Sequence, residues 1–148
     1  MRVKAIKAVF EPSPDYICAK ALTRVTSSSD ISDVFHNMEL ETQEYFIALH
    51  LDTKNRITCT DIVSSGSMTA SIVHPREVFK SALLSSASAV IFVHNHPSGD
   101  CNPSMEDREL TARLVKGGKL LGIRVLDHVI LGENQYFSFA DKGLLMGD

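Results

Sequence analysis

The sequence predicts an α/β domain in which helices cover a mixed β-sheet. Three observations lead there. Strand and helix patterns interleave along the chain. The run Ala89-Val90-Ile91-Phe92-Val93 is apolar at every position, as a strand buried on both faces must be. Hairpin signals flank the central helix–strand–helix unit on both sides. The length of 148 residues suits one domain with a real core. A 44% hydrophobic and 22% charged composition is that of a globular chain and argues against disorder.

Taken in order, residues 1–11 alternate loosely and read as a strand, which Glu11-Pro12-Ser13-Pro14-Asp15 interrupts. Tyr16 to Val25 is ambiguous by period. Residues 1–29 are therefore expected to be an N-terminal arm or edge strand, and 30–148 the domain. Ser27-Ser28-Ser29-Asp30 is a capping loop, and Val34, Phe35 and Met38 fall at helical spacing, predicting a helix over about 31–40. Tyr45 to Asp52 and Ile57 to Val63 are strands joined by the turn Asp52-Thr53-Lys54-Asn55, with Ser64 to Ser67 a loop and 69–73 extended.

Pro75 suits a first helical turn, where its missing N–H is no loss, and Val78, Phe79, Ala82 and Leu83 make an apolar face, giving a helix over about 75–87. After the strand at 89–93 a polar loop spans 94–103. Ser104 opens a helix with the stripe Leu110, Leu114, Val115 and Leu121, weakened in its middle by Gly117 and Gly118. Ile123 to Leu131 and Tyr136 to Phe139 are the final strands.

Fifteen basic and eighteen acidic side chains leave a net charge of −3, which does not support a general polyanion-binding surface. No apolar run approaches the roughly 20 residues that cross a bilayer. Lys4 interrupts the N-terminal stretch, so it does not read as a signal peptide. Cys18, Cys59 and Cys101 are far apart and odd in number, which suggests reduced thiols. A cytoplasmic chain is expected, with no membrane partner and no nucleic acid.

The chemistry is concentrated in His94-Asn95-His96-Pro97-Ser98-Gly99-Asp100-Cys101-Asn102-Pro103-Ser104-Met105-Glu106-Asp107. Residues two apart on an extended backbone point to one side, roughly 6–7 Å apart, so two imidazoles there can converge on one ion. Pro97 stops the strand and Gly99 lets the chain turn back to a helix start with Asp107 in its first turn. Two histidines and a carboxylate form the three-ligand set that catalytic zinc uses, leaving a fourth position for water. Each part also has a plainer reading. Ser104-x-x-Asp107 is a good capping pattern, a histidine at a strand end is usually a surface residue, and a cap would itself aim Asp107. Other metal families are excluded by spacing: there is no His-Glu-x-x-His helix, no Pro-Cys-x-x-Cys pair, and three cysteines cannot make a four-cysteine site.

With these residues in view, the sequence resembles the JAB/MPN metalloprotease superfamily, whose motif is a distant Glu, then His-x-His-Pro, then Ser-x-x-Asp. His94 to Asp100 with Pro103-Ser104 and Asp107 looks like the RadC branch. The resemblance spans roughly residues 30–145. It includes Gln43-Glu44-Tyr45-Phe46, Leu51-Asp52-Thr53-Lys54-Asn55, Pro75-Arg76-Glu77-Val78-Phe79, Leu120-Leu121-Gly122-Ile123, Asp127-His128-Val129-Ile130 and Tyr136-Phe137-Ser138-Phe139. It implies the MPN/JAB (cytidine-deaminase-like) architecture. Full-length members carry an N-terminal helix–hairpin–helix region that a chain of this length is not expected to include, which weakens the family's historical DNA-repair label further.

The resemblance also implies roles. His94, His96 and Asp107 fall on the zinc ligands, Ser104 on the serine that helps hold the substrate oxyanion or bound water, and Glu44 on the distant acid that works on that water. The implied activity is a zinc-dependent hydrolysis of amide or isopeptide bonds, with a peptide or isopeptide-type substrate. From its own surroundings Glu44 reads as a solvated carboxylate beside Glu41; the resemblance reverses that preference, with Glu41 and Glu77 as rivals. Asp127-His128 reads as a hydrogen-bonded core pair or, less favoured, a pair steadying a ligand. His50 and His74 read as structural or surface residues. Asp100 and Cys101 sit on the loop, Cys101 more often inert than reactive. The alternatives are a non-catalytic MPN-fold binding module, which retention of all five motif positions disfavours, and a DNA-repair-associated accessory protein, which the charge disfavours.

Overall fold

The computed structural model describes residues 24–66 and 73–145. The strand expected at 1–11, the arm up to residue 23 and most of the extended piece at 69–73 lie outside the described residues.

Five strands form one sheet: β1 (Glu44–Leu51), β2 (Ile57–Gly66), β3 (Ala89–Asn95), β4 (Arg124–Gly132) and β5 (Gln135–Ser138). Their order is β2-β1-β3-β4-β5. β1 runs antiparallel to both β2 and β3, β3 is parallel to β4, and β5 returns antiparallel to β4. The helices are α1 (Ser28–Phe35), continued by a 3-10 segment at His36–Leu40, α2 (Pro75–Leu84) and α3 (Met105–Leu121). The mixed α/β sheet expected from the sequence is the architecture found, with α3 as the crossover between the two parallel strands.

Side chains alternate across the sheet, so each strand feeds two cores. Ile47, Leu49, Leu51, Ile91, Val93, Val129 and Leu131 face Ile31, Val34, Phe35 and Met38 of α1 and its 3-10 extension. Phe46, Ala48, Val90 and Phe92 face Val78, Phe79 and Ala82 of α2 and Leu110 and Leu114 of α3. β3 is buried at all seven positions. Each such aliphatic or aromatic side chain contributes about 1.5–3 kcal/mol, so the strand that carries the site's histidines is among the best anchored.

Several boundaries differ from the sequence reading, each for a local reason. α1 starts at Ser28 because Ser27, one residue earlier, forms a capping box: Asp30 N–H donates to Ser27 Oγ, and Ser27 N–H donates to Asp30 Oδ2 at 2.9 Å. Ser64-Ser65-Gly66 is strand rather than loop, since Phe46, Tyr45 and Glu44 pair with these three residues across a register shift. α2 stops at Leu84, capped by Ser85. β3 runs on through His94 and Asn95. The buried stripe of α3 is Leu110, Thr111, Leu114 and Gly118; Leu121 is exposed, as Gly122 in the left-handed conformation turns the chain away.

Asp127 does not steady a metal ligand. Its Oδ2 accepts from Ser138 Oγ–H at 2.6 Å, and its Oδ1 accepts from the Ala140 and His128 N–H groups. It ties the chain after β5 back to β4. Among the described residues no helix is long and apolar enough to cross a membrane.

Two predictions follow from this packing. A Cβ at Gly118 would lie 2.4 Å from the Ile123 carbonyl oxygen, a backbone atom held by Ile123 N–H donating to the Gly118 carbonyl. Gly118→Ala should therefore destabilise by about 1–3 kcal/mol in urea unfolding, against the roughly 1 kcal/mol that alanine adds in an open helix. His50 is fully buried against Ser85 Oγ (2.7 Å) and Cys59 Sγ (3.1 Å). Burial lowers its pKa, only partly offset by Asp61. The unfolded imidazole takes its proton near pH 6.5, before the folded one does. The stability due to neutral His50 is thus complete above that pH and declines as pH falls below it, by at most about 1.4 kcal/mol per unit. His50→Asn should be less stable at pH 7.5 but lose less between pH 7.5 and 5.5; equal slopes would contradict this.

Candidate metal centre

β3 delivers His94 at its end, on the α3 side of the sheet with Phe92 and Phe46. Pro97 then diverts the chain into a loop fastened to the β4–β5 turn. His96 N–H donates to the Leu131 carbonyl (2.9 Å), and Glu133 N–H donates to the Gly99 carbonyl (2.8 Å). A Cβ at Gly132 would meet Gly99 O at 2.4 Å and Cys101 N at 2.8 Å, so only glycine lets the loop lie this close. Cys101 turns down from the loop to pack with Ile130 and Phe139, and burial raises its thiol pKa, in keeping with an inert residue.

His96 Nδ1–H donates to the Asp100 carbonyl at 2.7 Å. That bond fixes the tautomer and leaves the Nε2 lone pair aimed inward, 3.3 Å from Asp107 Oδ2. Asp107 is the third residue of α3 and half of a capping box. Its N–H donates to Ser104 Oγ (3.1 Å), and its Oδ2 accepts from Ser104 N–H and Ser104 Oγ–H, both at 2.7 Å. The cap and ligand readings coincide: the cap is what aims the carboxylate. Asp107 Oδ1 faces His94 Nδ1 at 3.3 Å. One ligand-capable atom from each of His94, His96 and Asp107 lies within 4.8 Å of the other two.

The carboxylate and the imidazoles stabilise one another's charged forms. Burial works to raise the Asp107 pKa, but His94, His96 and Ser104 outweigh it and hold the carboxyl far below the usual carboxylate range. Burial works to lower that of His96, yet Asp107 and the Asp100 carbonyl raise it overall, with a smaller contribution from Glu44. His94 is 2% exposed; its Nδ1 meets Asp107 Oδ1, and its Nε2 has no hydrogen-bond partner among the described residues. Leaving a buried polar group unpaired costs about 1–3 kcal/mol, a cost that a cation removes by taking the lone pair. The donors present therefore fit a divalent metal.

Glu44 opens β1 and is half-buried. The β1–β3 register pairs Phe46 with His94, so Glu44, two residues earlier on β1, lies on the same face of the sheet as His94. The rival Glu77 is exposed on α2 and engaged by Lys80. Glu41 lies at the end of the 3-10 segment, before β1. His74 caps α2, its Nδ1 accepting from Arg76 N–H.

Two contributors escaped the sequence reading. Thr111, four residues after Asp107, donates its Oγ1–H to the Asp107 carbonyl (2.6 Å) and bonds His128 Nδ1 (2.7 Å). Burial and the neighbouring His94 push the His128 pKa down to about 3, so His128 is neutral, and its ring stacks between His94 and Phe139. The second is Asn95, between the two histidines. A helix-spaced Asp-x-x-x-Thr was the available signal for Thr111; nothing in the local pattern singles out Asn95.

A parallel β–α–β crossover with His-x-His at the end of its first strand and Asp in the first turn of its helix defines a JAB-type domain with a candidate metal site. The chain belongs to the RadC-like JAB domain family, which matches residues 25–144. Curated relatives include a "UPF0758 protein" of Trichlorobacter lovleyi, 50% identical over 147 residues, covering 97% of this chain and 64% of that protein. Another, from Methanosarcina mazei, is 53% identical over 123 residues, covering 82% of this chain and 54% of that protein. This chain thus spans between about half and two thirds of the length of these relatives.

Protein purified without chelator should carry about one zinc per chain by elemental analysis. Zinc should raise the melting temperature, because the ligands come from a strand, a loop and a helix start. His96→Ala should lose the metal and that shift together; full stoichiometry in this variant would contradict the ligand set.

Proposed function

We propose that this chain is a zinc-dependent hydrolase of amide or isopeptide bonds, with His94, His96 and Asp107 as ligands and Glu44 as the proton carrier. The observation that carries this reading is the convergence of three ligand-capable atoms from His94, His96 and Asp107, with the buried His94 Nε2 unpartnered among the described residues. When bound, zinc supplies Lewis acidity toward a carbonyl and lowers the pKa of water in its open position to about 7. Glu44 takes the proton released there and returns it to the leaving amine. Ser104 lies exposed at the rim with its Oγ–H on Asp107 Oδ2, and in this reading it turns that single proton from Asp107 to a developing oxyanion. Asp100, through its carbonyl, holds His96 in register. The free thiols of Cys59 and Cys101 suit a reducing, cytoplasmic setting.

The test is hydrolysis of a panel of fluorogenic peptide amides and lysine-linked isopeptides by the zinc-loaded chain. Glu44→Gln at equal zinc content should fall by at least about a hundredfold, the scale of general-base catalysis. A Glu44→Gln variant as active as the parent would move the base to another carboxylate. Full zinc loading with no turnover of any amide would favour a binding module.

A further inference from the structure

We infer that Asn95 is a positioning residue for Glu44, one that sets the carboxylate's place over the metal site; the inference rests on the hydrolase reading above. β3 ends at Asn95 because Pro97 turns the chain away, so the backbone of β3 cannot pair with the first residues of β1. The Asn95 side chain continues the pairing. Its carboxamide carries the same carbonyl and N–H groups as a peptide unit. Oδ1 accepts from Tyr45 N–H at 2.7 Å, and Nδ2–H donates to the Gln43 carbonyl at 2.9 Å.

These two backbone groups flank Glu44 on either side. Asn95 is 1% exposed, and its own backbone joins the two histidines. One buried side chain therefore clamps the peptide units around the acid from the segment that carries the ligands. β2 holds this end of β1 on one side, through the pairing of Glu44 with Gly66, and the Asn95 amide holds it on the side of the histidines.

No other residue type supplies this pair at that size. Aspartate keeps the acceptor for Tyr45 N–H but sets an oxygen against the Gln43 carbonyl. Leucine keeps the volume and neither bond. Each leaves buried backbone groups unpaired, and each should release the Glu44 end of β1 rather than the ligands.

The experiment uses the zinc-loaded chain and acetohydroxamate as probe, read by calorimetry. On chelating zinc the hydroxamic acid loses its N-hydroxyl proton, and a carboxylate in place accepts it, so affinity reports the carboxylate's position without any substrate. Glu44→Gln should weaken binding about tenfold or more, as expected for loss of a charge-assisted hydrogen bond. Asn95→Leu should weaken it nearly as much while zinc stoichiometry stays at the parent value, and Asn95→Asp should fall between. The double variant Asn95→Leu/Glu44→Gln should bind no worse than Glu44→Gln alone.

Parent-like affinity in both folded Asn95 variants, additive losses in the double variant, or loss of zinc from Asn95→Asp would each overturn the inference. If Glu44→Gln binds the probe like the parent, the Glu44 reading itself fails and the inference with it. Should Asn95→Leu not fold, Asn95→Asp decides alone.

Discussion

The reciprocal bonds between Ser104 and Asp107 are the interaction on which the site depends. A capping box satisfies first-turn N–H groups of α3 and is worth roughly 1–2 kcal/mol in most helices. Here the same bonds consume part of one carboxylate oxygen and fix the torsions of Asp107, so both oxygens face the two imidazoles without freedom to swing away. Thr111 adds a second hold one turn later by bonding the Asp107 carbonyl, and His128 connects that hold to β4. The helix start and the sheet are thus joined at the point where they present the candidate ligands. A loop closing the same distance would have to order itself on binding and give up affinity for it.

Polarity in this region is arranged by depth. His128 is buried and neutral, satisfied on one nitrogen by Thr111, and stacked flat on Phe139. Above it His94 turns Nδ1 to Asp107 Oδ1, and above that His96 has one nitrogen tied to a carbonyl and one turned toward Asp107 Oδ2. His94 and His96 both approach the Asp107 carboxylate, at 3.3 Å each, whereas His128 lies beneath them and turns to Thr111 instead.

Much of this was readable from the chain because its signals are local. Ser-x-x-Asp before an apolar stripe announces a cap; His-x-His-Pro announces a strand that ends; an all-apolar five-residue run announces a central strand. The errors fall where tertiary pairing overrides composition. Ser64-Ser65-Gly66 has loop chemistry but becomes strand because β1 extends beside it. His94 reads as the start of a polar loop, yet the strand carries it inward because both neighbours of β3 are paired that far. Asn95 carried no local signal at all. Its role depends on Gln43 and Tyr45, about fifty positions away, and becomes visible only once the β1–β3 register is known. Glu44 had the same handicap, and only the family motif lifted it above an ordinary surface carboxylate.

The same depth gradient sets the direction from which chemistry can proceed. The His94 side chain is 2% exposed and that of His96 14%, while Ser104 is exposed outright. Water and any carbonyl must therefore arrive from the side of the α3 N-terminus and the His96 loop, with β3, β4 and the Phe46 and Phe139 rings closing the floor. Charge developing at the open corner meets the positive end of the α3 dipole on that side, worth up to about 2 kcal/mol in a partly buried setting. Glu44 opens β1 on the His94 side of the sheet, so in the proposed hydrolase the proton acceptor and the helix terminus that meets an oxyanion come from different elements. The proposed reaction needs that division, because attack and departure of the amine require a base and a stabilised oxyanion on different sides of the same carbon.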